Sequence, residues 1–230
     1  MQNSCEIIIL GAGMVGLSIA HQLIEQEISR SIIIIEKEQD VGLHSSGRNS
    51  GVLHAGIYYE PNSLKAKVCI EGSKRLSNWA TEKGIAINKC GKVISPSDIK
   101  LDNKLDELLR RGKANGAIVE IIDEKEFKNL IPDGKTASGR ALWSPNTAVI
   151  NPKIVLKKLK DDLLSKGVKI FFGLKDQVFD PKSQKIIFNG NIEIIYDHLI
   201  NCSGLQADKI AHEFNVGTKY KLLPFRGLYW

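Results

Sequence analysis

The chain has 230 residues, of which 43% are hydrophobic, 25% charged and 7% aromatic. These proportions exclude a disordered or fibrous protein and allow one large globular domain or two small ones. Thirty-two Lys and Arg against twenty-six Asp and Glu leave a net charge of +6, but the lysines are scattered and no basic run is interleaved with aromatics. A nucleic-acid partner is therefore not expected, and the balance suits an anionic small substrate or weak contact with an acidic lipid surface.

The opening reads as a βαβ unit. An apolar run Ile7-Ile8-Ile9-Leu10 is followed by a glycine turn, a helical stretch from Met14 to about Glu27 and a second run, Ile32 to Ile35. Continuous β-branched runs mark strands buried on both faces of a parallel sheet. A Ser- and Gly-rich loop, Gly42 to Gly56, precedes a predicted helix from about Ser63 to Lys83. From Ile85 to about Ile150 the texture changes. Short strand-like pieces such as Gly91-Lys92-Val93-Ile94 flank a charged helix predicted over Asp98 to Ala114, with Leu101, Leu105, Leu108 and Leu109 at helical spacing.

A second alternation begins at Asn151-Pro152, where proline suits a first helical turn. The helix Lys153 to Lys166 leads into a strand Val168 to Phe172. A hairpin follows from Gln177-Val178-Phe179 to Ile186-Ile187-Phe188, then strands at Ile192 to Ile195 and His198 to Ile200, and a helix Leu205 to Phe214. The expected fold class is α/β: a Rossmann-like βαβ nucleotide-binding domain in two separated pieces, with an α+β domain inserted between them. The boundaries expected are 1–84 and 151–215 for the nucleotide-binding domain, 85–150 for the insert, and 216–230 for the start of its second part.

Cys5, Cys69, Cys90 and Cys202 are far apart and form no C-x-x-C pair, so neither a zinc site nor a disulfide framework is expected, and a reducing compartment is. The uncharged stretch Ile7 to Gln22 is interrupted by Gly11, Gly13 and Gly16 and does not read as a membrane span. No basic region precedes it, so a signal peptide is not expected. The location expected is cytoplasmic, with peripheral contact at the inner membrane as a further option.

Gly11-Ala12-Gly13-Met14-Val15-Gly16 follows a strand and opens a helix. In such a fingerprint the first glycine permits the tight turn, the second lets backbone approach a pyrophosphate, and the third allows close helix–strand packing. Glu36, twenty residues after Gly16 at the end of the second strand, is placed to accept hydrogen bonds from the adenosine ribose hydroxyls. The fingerprint alone does not separate FAD from NAD, since both carry ADP. The long loop His44 to Tyr59, dense in hydroxyls, amides and glycines, can wrap a pyrophosphate and press backbone against a flat ring, which disfavours NAD.

The run Asn49-Ser50-Gly51-Val52-Leu53-His54-Ala55-Gly56-Ile57-Tyr58-Tyr59, with Ser63 to Lys67 and Cys90-Gly91-Lys92, closely resembles the L-2-hydroxyglutarate dehydrogenases (oxidases) of the FAD-dependent D-amino-acid-oxidase-like superfamily. The resemblance continues through Ser144-Pro145, Asn151-Pro152, Asn201 to Asp208 and Pro224 to Gly227. It implies non-covalent FAD that takes hydride from C2 of L-2-hydroxyglutarate, giving 2-oxoglutarate, with electrons passed on to quinone or oxygen. Gly11, Gly13, Gly16 and Glu36 would then hold the ADP half. Ser45, Ser46, Asn49, Ser50 and Gly51 would line the pyrophosphate and flavin, Val178 would meet adenine through its backbone, and Ser203 and Gly204 would close over the cofactor.

Oxidising a hydroxy acid also needs a proton acceptor and cations for carboxylates. His54 is the expected acceptor, because imidazole titrates near working pH and the resembling motif places it by the flavin. Arg226 is the expected carboxylate clamp, since guanidinium can grip a carboxylate in a bidentate fork; Lys65 and Lys67 are weaker candidates, and His44 reads equally as a loop residue. Family members are longer than this chain, so it is expected to be C-terminally truncated, with the rest of the substrate domain beyond residue 230. The alternatives are a related FAD oxidoreductase acting on glycerol-3-phosphate or an amino acid, and an inactive nucleotide-binding remnant.

Overall fold

The computed structural model describes residues 2–29, 31–225 and 227. They divide into two compact units, one drawn from 1–49 and 152–230 and the other from 50–151. The first unit begins with strand β1 (Gln2–Leu10), helix α1 (Met14–Glu25) and strand β2 (Ile32–Glu36). β1 and β2 are parallel, with Ile8 opposite Ile33 and Leu10 opposite Ile35. Ile7 to Leu10 and Ile32 to Ile35 are all buried, as expected of strands covered on both faces.

The second unit comprises β3 (Val52–Leu53), α2 (Leu64–Glu82), β4 (Ile87–Asn88), β5 (Lys92–Ile94), α3 (Asn103–Ala114), β6 (Glu120–Asp123), α4 (Glu124–Leu130), β7 (Arg140–Ser144) and β8 (Ala148–Ile150). Its strands form two antiparallel sheets, ordered β3-β8-β4 and β5-β7-β6. Leu105 of α3 packs with Leu142 of β7 and with Ile57 and Val119. Phe127 of α4 packs with Ile122 and Ala141 in a separate cluster. α4 starts with a capping box in which Asp123 and Glu126 each satisfy the other's backbone N–H, so two donors that a helix start leaves orphaned are paired.

The first unit resumes with α5 (Pro152–Ser165), β9 (Lys169–Phe172), β10 (Val178–Asp180), β11 (Lys185–Phe188), β12 (Ile192–Asn201) and α6 (Ala207–Glu213). Its sheet runs β10-β11-β12-β1-β2-β9. β12 and β9 are parallel to their β1 and β2 neighbours, whereas β10 and β11 form an antiparallel meander with β12. Ile8, Leu10, Ile33 and Ile35 pack with Ile186 and Phe188 of β11, Ile194 and Tyr196 of β12, and Ile210 of α6. On α5, Val155, Leu156, Leu159 and Leu163 are buried, a helical stripe facing inward. α5 is tied to α1 by His21 against Asp162 at 3.4 Å and by Lys166 against both Asp162 and Glu25.

Four expectations change in detail. The helix predicted from Asp98 starts at Asn103, because the Asp98 carboxylate takes the N–H of Lys100 and caps a separate 3-10 turn, Ile99–Leu101. Leu101 is consequently exposed while Leu105 is buried. The two strands expected between Ile192 and Ile200 are one, since β12 pairs with β1 almost along its length, from Gln2 opposite Glu193 to Leu10 opposite Asn201. The first unit gives way to the second at Asn49–Ser50 rather than after residue 84, because β3 pairs with β8, which also pairs with β4. Residues 216–225 group with the first unit, where Asp208 accepts the N–H of Leu222 at 2.9 Å. No helix among the described residues is long and apolar enough to cross a membrane.

Leu163 is fully buried, so Leu163→Ala should destabilise the first unit by about 2–5 kcal/mol through lost transfer energy and a residual cavity. Ile34→Val, at an equally buried sheet position, should cost only about 0.5–1.5 kcal/mol. Urea denaturation followed by circular dichroism would rank them, and a larger loss for Ile34→Val would contradict the packing described.

Candidate functional site

The glycine turn is held by contacts that a side chain would obstruct. Gly11 lies at φ +108°, and a Cβ there would stand 2.4 Å from the Cys202 carbonyl oxygen. Its N–H donates to Ile35 at 2.7 Å. At Gly16 a Cβ would stand 2.0 Å from the Gly11 carbonyl oxygen and 3.3 Å from Ile9. The turn and the start of α1 are therefore folded against the sheet with no room for a methyl group.

Glu36 is buried at 7% exposure and works as the internal brace of this turn. Its Oε2 accepts the N–H of Ala12 at 2.9 Å and its Oε1 the N–H of Glu38 at 3.0 Å. Each carboxylate oxygen keeps capacity for a further donor, so ribose hydroxyls and backbone can share it. The Ser45–Gly47 stretch forms a 3-10 turn, from which Ser46 Oγ accepts the N–H of Met14 at 3.0 Å. The same oxygen lies 3.0 Å from where a Gly13 Cβ would be. The Asn49 amide donates to the Ser45 and Ser46 carbonyls at 3.1 and 2.8 Å and fixes the turn's shape.

The end of β12 completes this cluster. The Cys202 N–H donates to the Leu10 carbonyl at 2.9 Å, and burial raises the pKa of its thiol. Ser203 donates through Oγ to Asn201 Oδ1 at 2.5 Å. Gly204 has φ +58° and open space where a Cβ would project. Val178 opens β10, an outermost strand of the sheet, opposite Ile187; its side chain is 62% exposed.

Of the remaining expected residues, Ser50, Gly51 and His54 belong to the second unit. Gly51 accepts the N–H of Ile150 at 2.9 Å. His54 is exposed, its carbonyl accepts the Cys69 thiol at 3.6 Å, and its imidazole pKa is lowered below the usual 6.5 by partial burial first and by Lys92 second. At pH 7 it is therefore predominantly neutral. Lys65 and Lys67 lie exposed on α2, with the Lys65 ammonium 4.8 Å from the centre of the Tyr59 ring. His44 pairs with Glu38 at 3.1 Å and holds that carboxyl below its usual range. Arg226 lies outside the described residues.

Three participants were absent from the expected site: Asn201 beneath Ser203, Glu38 opposite His44, and Lys92 beside His54. Asn201 and Lys92 both fall within motifs that carry the resemblance, whereas Glu38 is joined to His44 by a contact that no periodic signal records.

A bare glycine backbone, a helix start and a buried carboxylate with spare acceptor capacity fit an ADP-bearing dinucleotide. The sequence matches the family model DAO, FAD dependent oxidoreductase, over residues 6–230, and the chain belongs to that family of FAD-dependent oxidoreductases. FAD is the family's cofactor. More particularly, the chain is 36% identical to the mitochondrial L-2-hydroxyglutarate dehydrogenase of Caenorhabditis briggsae, over 97% of this chain and 53% of that protein. It is 34% identical to the L-2-hydroxyglutarate dehydrogenase of Indibacter alkaliphilus, over 98% of this chain and 57% of that protein. It thus spans about half the length of these curated relatives.

Among solved structures, glycine oxidase from Geobacillus kaustophilus superposes with a TM-score of 0.81 at 17% identity, covering 93% of this chain and 59% of that one. The FAD-bound L-alpha-glycerophosphate oxidase from Mycoplasma pneumoniae gives 0.78 at 23%, covering 91% and 56%. These likenesses establish the fold.

Gly16→Ala would force its methyl group against the Gly11 carbonyl oxygen. Overpacking of this kind costs about 1–3 kcal/mol of stability, and the shift of the turn that relieves it should weaken FAD binding, read as quenching of FAD fluorescence on titration with protein. Unchanged affinity would show that the cofactor does not sit on this turn.

Proposed function

We propose that this chain supplies the FAD cradle and part of the substrate side of an enzyme that oxidises L-2-hydroxyglutarate to 2-oxoglutarate. The observation that carries the reading is the alignment of 97% of the chain, at 36% identity, with a protein named for that activity. In this assignment the first unit holds FAD and the second belongs to the substrate domain. FAD, when bound, supplies a two-electron acceptor for the hydrogen at C2.

The chain's own residues have the remaining tasks. Gly11, Gly13 and Gly16 leave backbone open to the pyrophosphate, with Ser45, Ser46 and Asn49 shaping the loop opposite, and Ser50 and Gly51 continue that loop toward the flavin. Glu36 accepts the ribose hydroxyls while still bracing Ala12 and Glu38. Val178 offers backbone to the adenine, and Ser203 and Gly204 cover the cofactor from the end of β12. His54, neutral at working pH, takes the proton of the C2 hydroxyl on a ring nitrogen, and Arg226 grips a substrate carboxylate. Electrons leave to quinone or oxygen. The proposed location is cytoplasmic, peripheral on the inner membrane where quinone is the acceptor.

An anaerobic visible spectrum of the chain supplied with FAD and then mixed with L-2-hydroxyglutarate tests the reading. Loss of the flavin band is expected, and a protein bleached by glycerol-3-phosphate or an amino acid but not by L-2-hydroxyglutarate would refute the substrate assignment. The bleaching rate should rise with pH through the His54 pKa, because only neutral imidazole accepts a proton, and should reach its plateau at a lower pH than an unperturbed imidazole would give, since burial and then Lys92 lower that pKa. His54→Asn should slow bleaching by about 10²–10⁴-fold, the usual contribution of a general base, and remove the acidic limb from the stopped-flow pH profile.

A further inference from the structure

A 2-hydroxy diacid presents two carboxylates. The proposed clamp Arg226 is assigned one, and the described residues bring a second cation to the loop that carries His54. Lys92, the first residue of β5, places its ammonium 4.4 Å from the centre of the Tyr58 ring. It also lies near enough to His54 to help lower the imidazole pKa. Lys92 is half-buried and lies over an aromatic ring, while two other half-buried lysines also reach carboxylates. Lys160 has Asp40 at 2.7 Å, and Lys185 has Glu193 at 3.4 Å.

Both partners are held by restraints of their own. Gly91, at φ +71°, lies flat against Trp143, where a Cβ would stand 1.9 Å from the indole, and its N–H donates to Thr147 at 2.9 Å. Lys92 then pairs with Ser144, whose buried hydroxyl is hydrogen-bonded to Thr147 at 2.9 Å. On the other side, Arg111 donates to the Tyr58 carbonyl at 3.1 Å, while Asn115 donates to those of Gly56 and Tyr59 at 2.8 and 2.9 Å. A cation and a ring fixed separately in this way form a preorganised pair.

We propose that Lys92 and Tyr58 seat the carboxylate remote from C2 and so make the site selective for a hydroxy diacid over a hydroxy monoacid. An ammonium over an aromatic face suits a carboxylate carried on a methylene chain, because the charge is met by the cation and the CH₂ groups by the ring. The head of the same molecule, where hydroxyl and carboxylate are neighbours, needs the imidazole of His54. The inference rests on the proposed oxidation of L-2-hydroxyglutarate and adds the element that measures the acid's second charge.

Calorimetric titration of the FAD-loaded protein with glutarate and butyrate, neither of which can be oxidised at a C2 hydroxyl, tests it without turnover. Wild type should bind glutarate at least about tenfold more tightly than butyrate, the lower range for a charge-assisted hydrogen bond. Lys92→Met should bring glutarate to the butyrate level and leave butyrate unchanged, while Lys92→Arg should restore part of the difference. A wild type without preference for glutarate, or a Lys92→Met protein that keeps it with an unaltered melting temperature, overturns the proposal. A protein that selects glutarate through Lys92 but is not reduced by L-2-hydroxyglutarate retains this seat and refutes the oxidation; one that is reduced but keeps its selectivity in Lys92→Met refutes the seat alone.

Discussion

Glu36 accepts two backbone N–H groups from different sides, Ala12 in the glycine turn and Glu38 in the loop after β2, and the geometry of the cradle follows from that one buried carboxylate. A buried acid is costly unless its oxygens are hydrogen-bonded. Here the bonds that stabilise it also tie the end of β2 to the turn that follows β1. The turn is thereby fixed where Gly11 meets Cys202 and where the Met14 N–H meets Ser46. An anion at the start of α1 would thus be met by groups already in position, which limits the ordering cost of binding.

The second unit achieves a comparable order by other means. The chain from Ala55 to Tyr59 has little regular structure, but its carbonyls are tied to α3 by Asn115 and Arg111. Gly56 is itself at φ +82° against Ile70, and Ile57 is buried with Leu105 and Leu142. A loop held at its backbone leaves its outward side chains free for chemistry. His54 and Tyr58 are both exposed, and each lies under the influence of Lys92.

Much of the first unit was legible from local pattern. The runs Ile7 to Leu10 and Ile32 to Ile35, the spacing of Gly11, Gly13 and Gly16, the proline at the start of α5 and the hairpin from Val178 to Phe188 all express rules that act over a few residues. The second unit was less legible, because its strands are two to five residues long and carry too few alternations to show a period. The side chain of Asp98 displaced a helix start that leucine spacing alone had placed too early. Pairing with β1 on both sides of Asp197 made one strand of the two expected between Ile192 and Ile200.

By itself the sequence determined the βαβ framework, the glycine fingerprint and the acid at the end of the second strand, because strand burial, turn sterics and helix initiation are settled among near neighbours. Tertiary structure alone decided that Gly11 abuts Cys202, that Ser46 reaches Met14, that the second unit opens at Ser50 and that Lys92 stands over Tyr58. Those contacts join residues far apart in the chain, and their partners are selected by packing and by the need to satisfy buried polar groups, which no spacing in the sequence records.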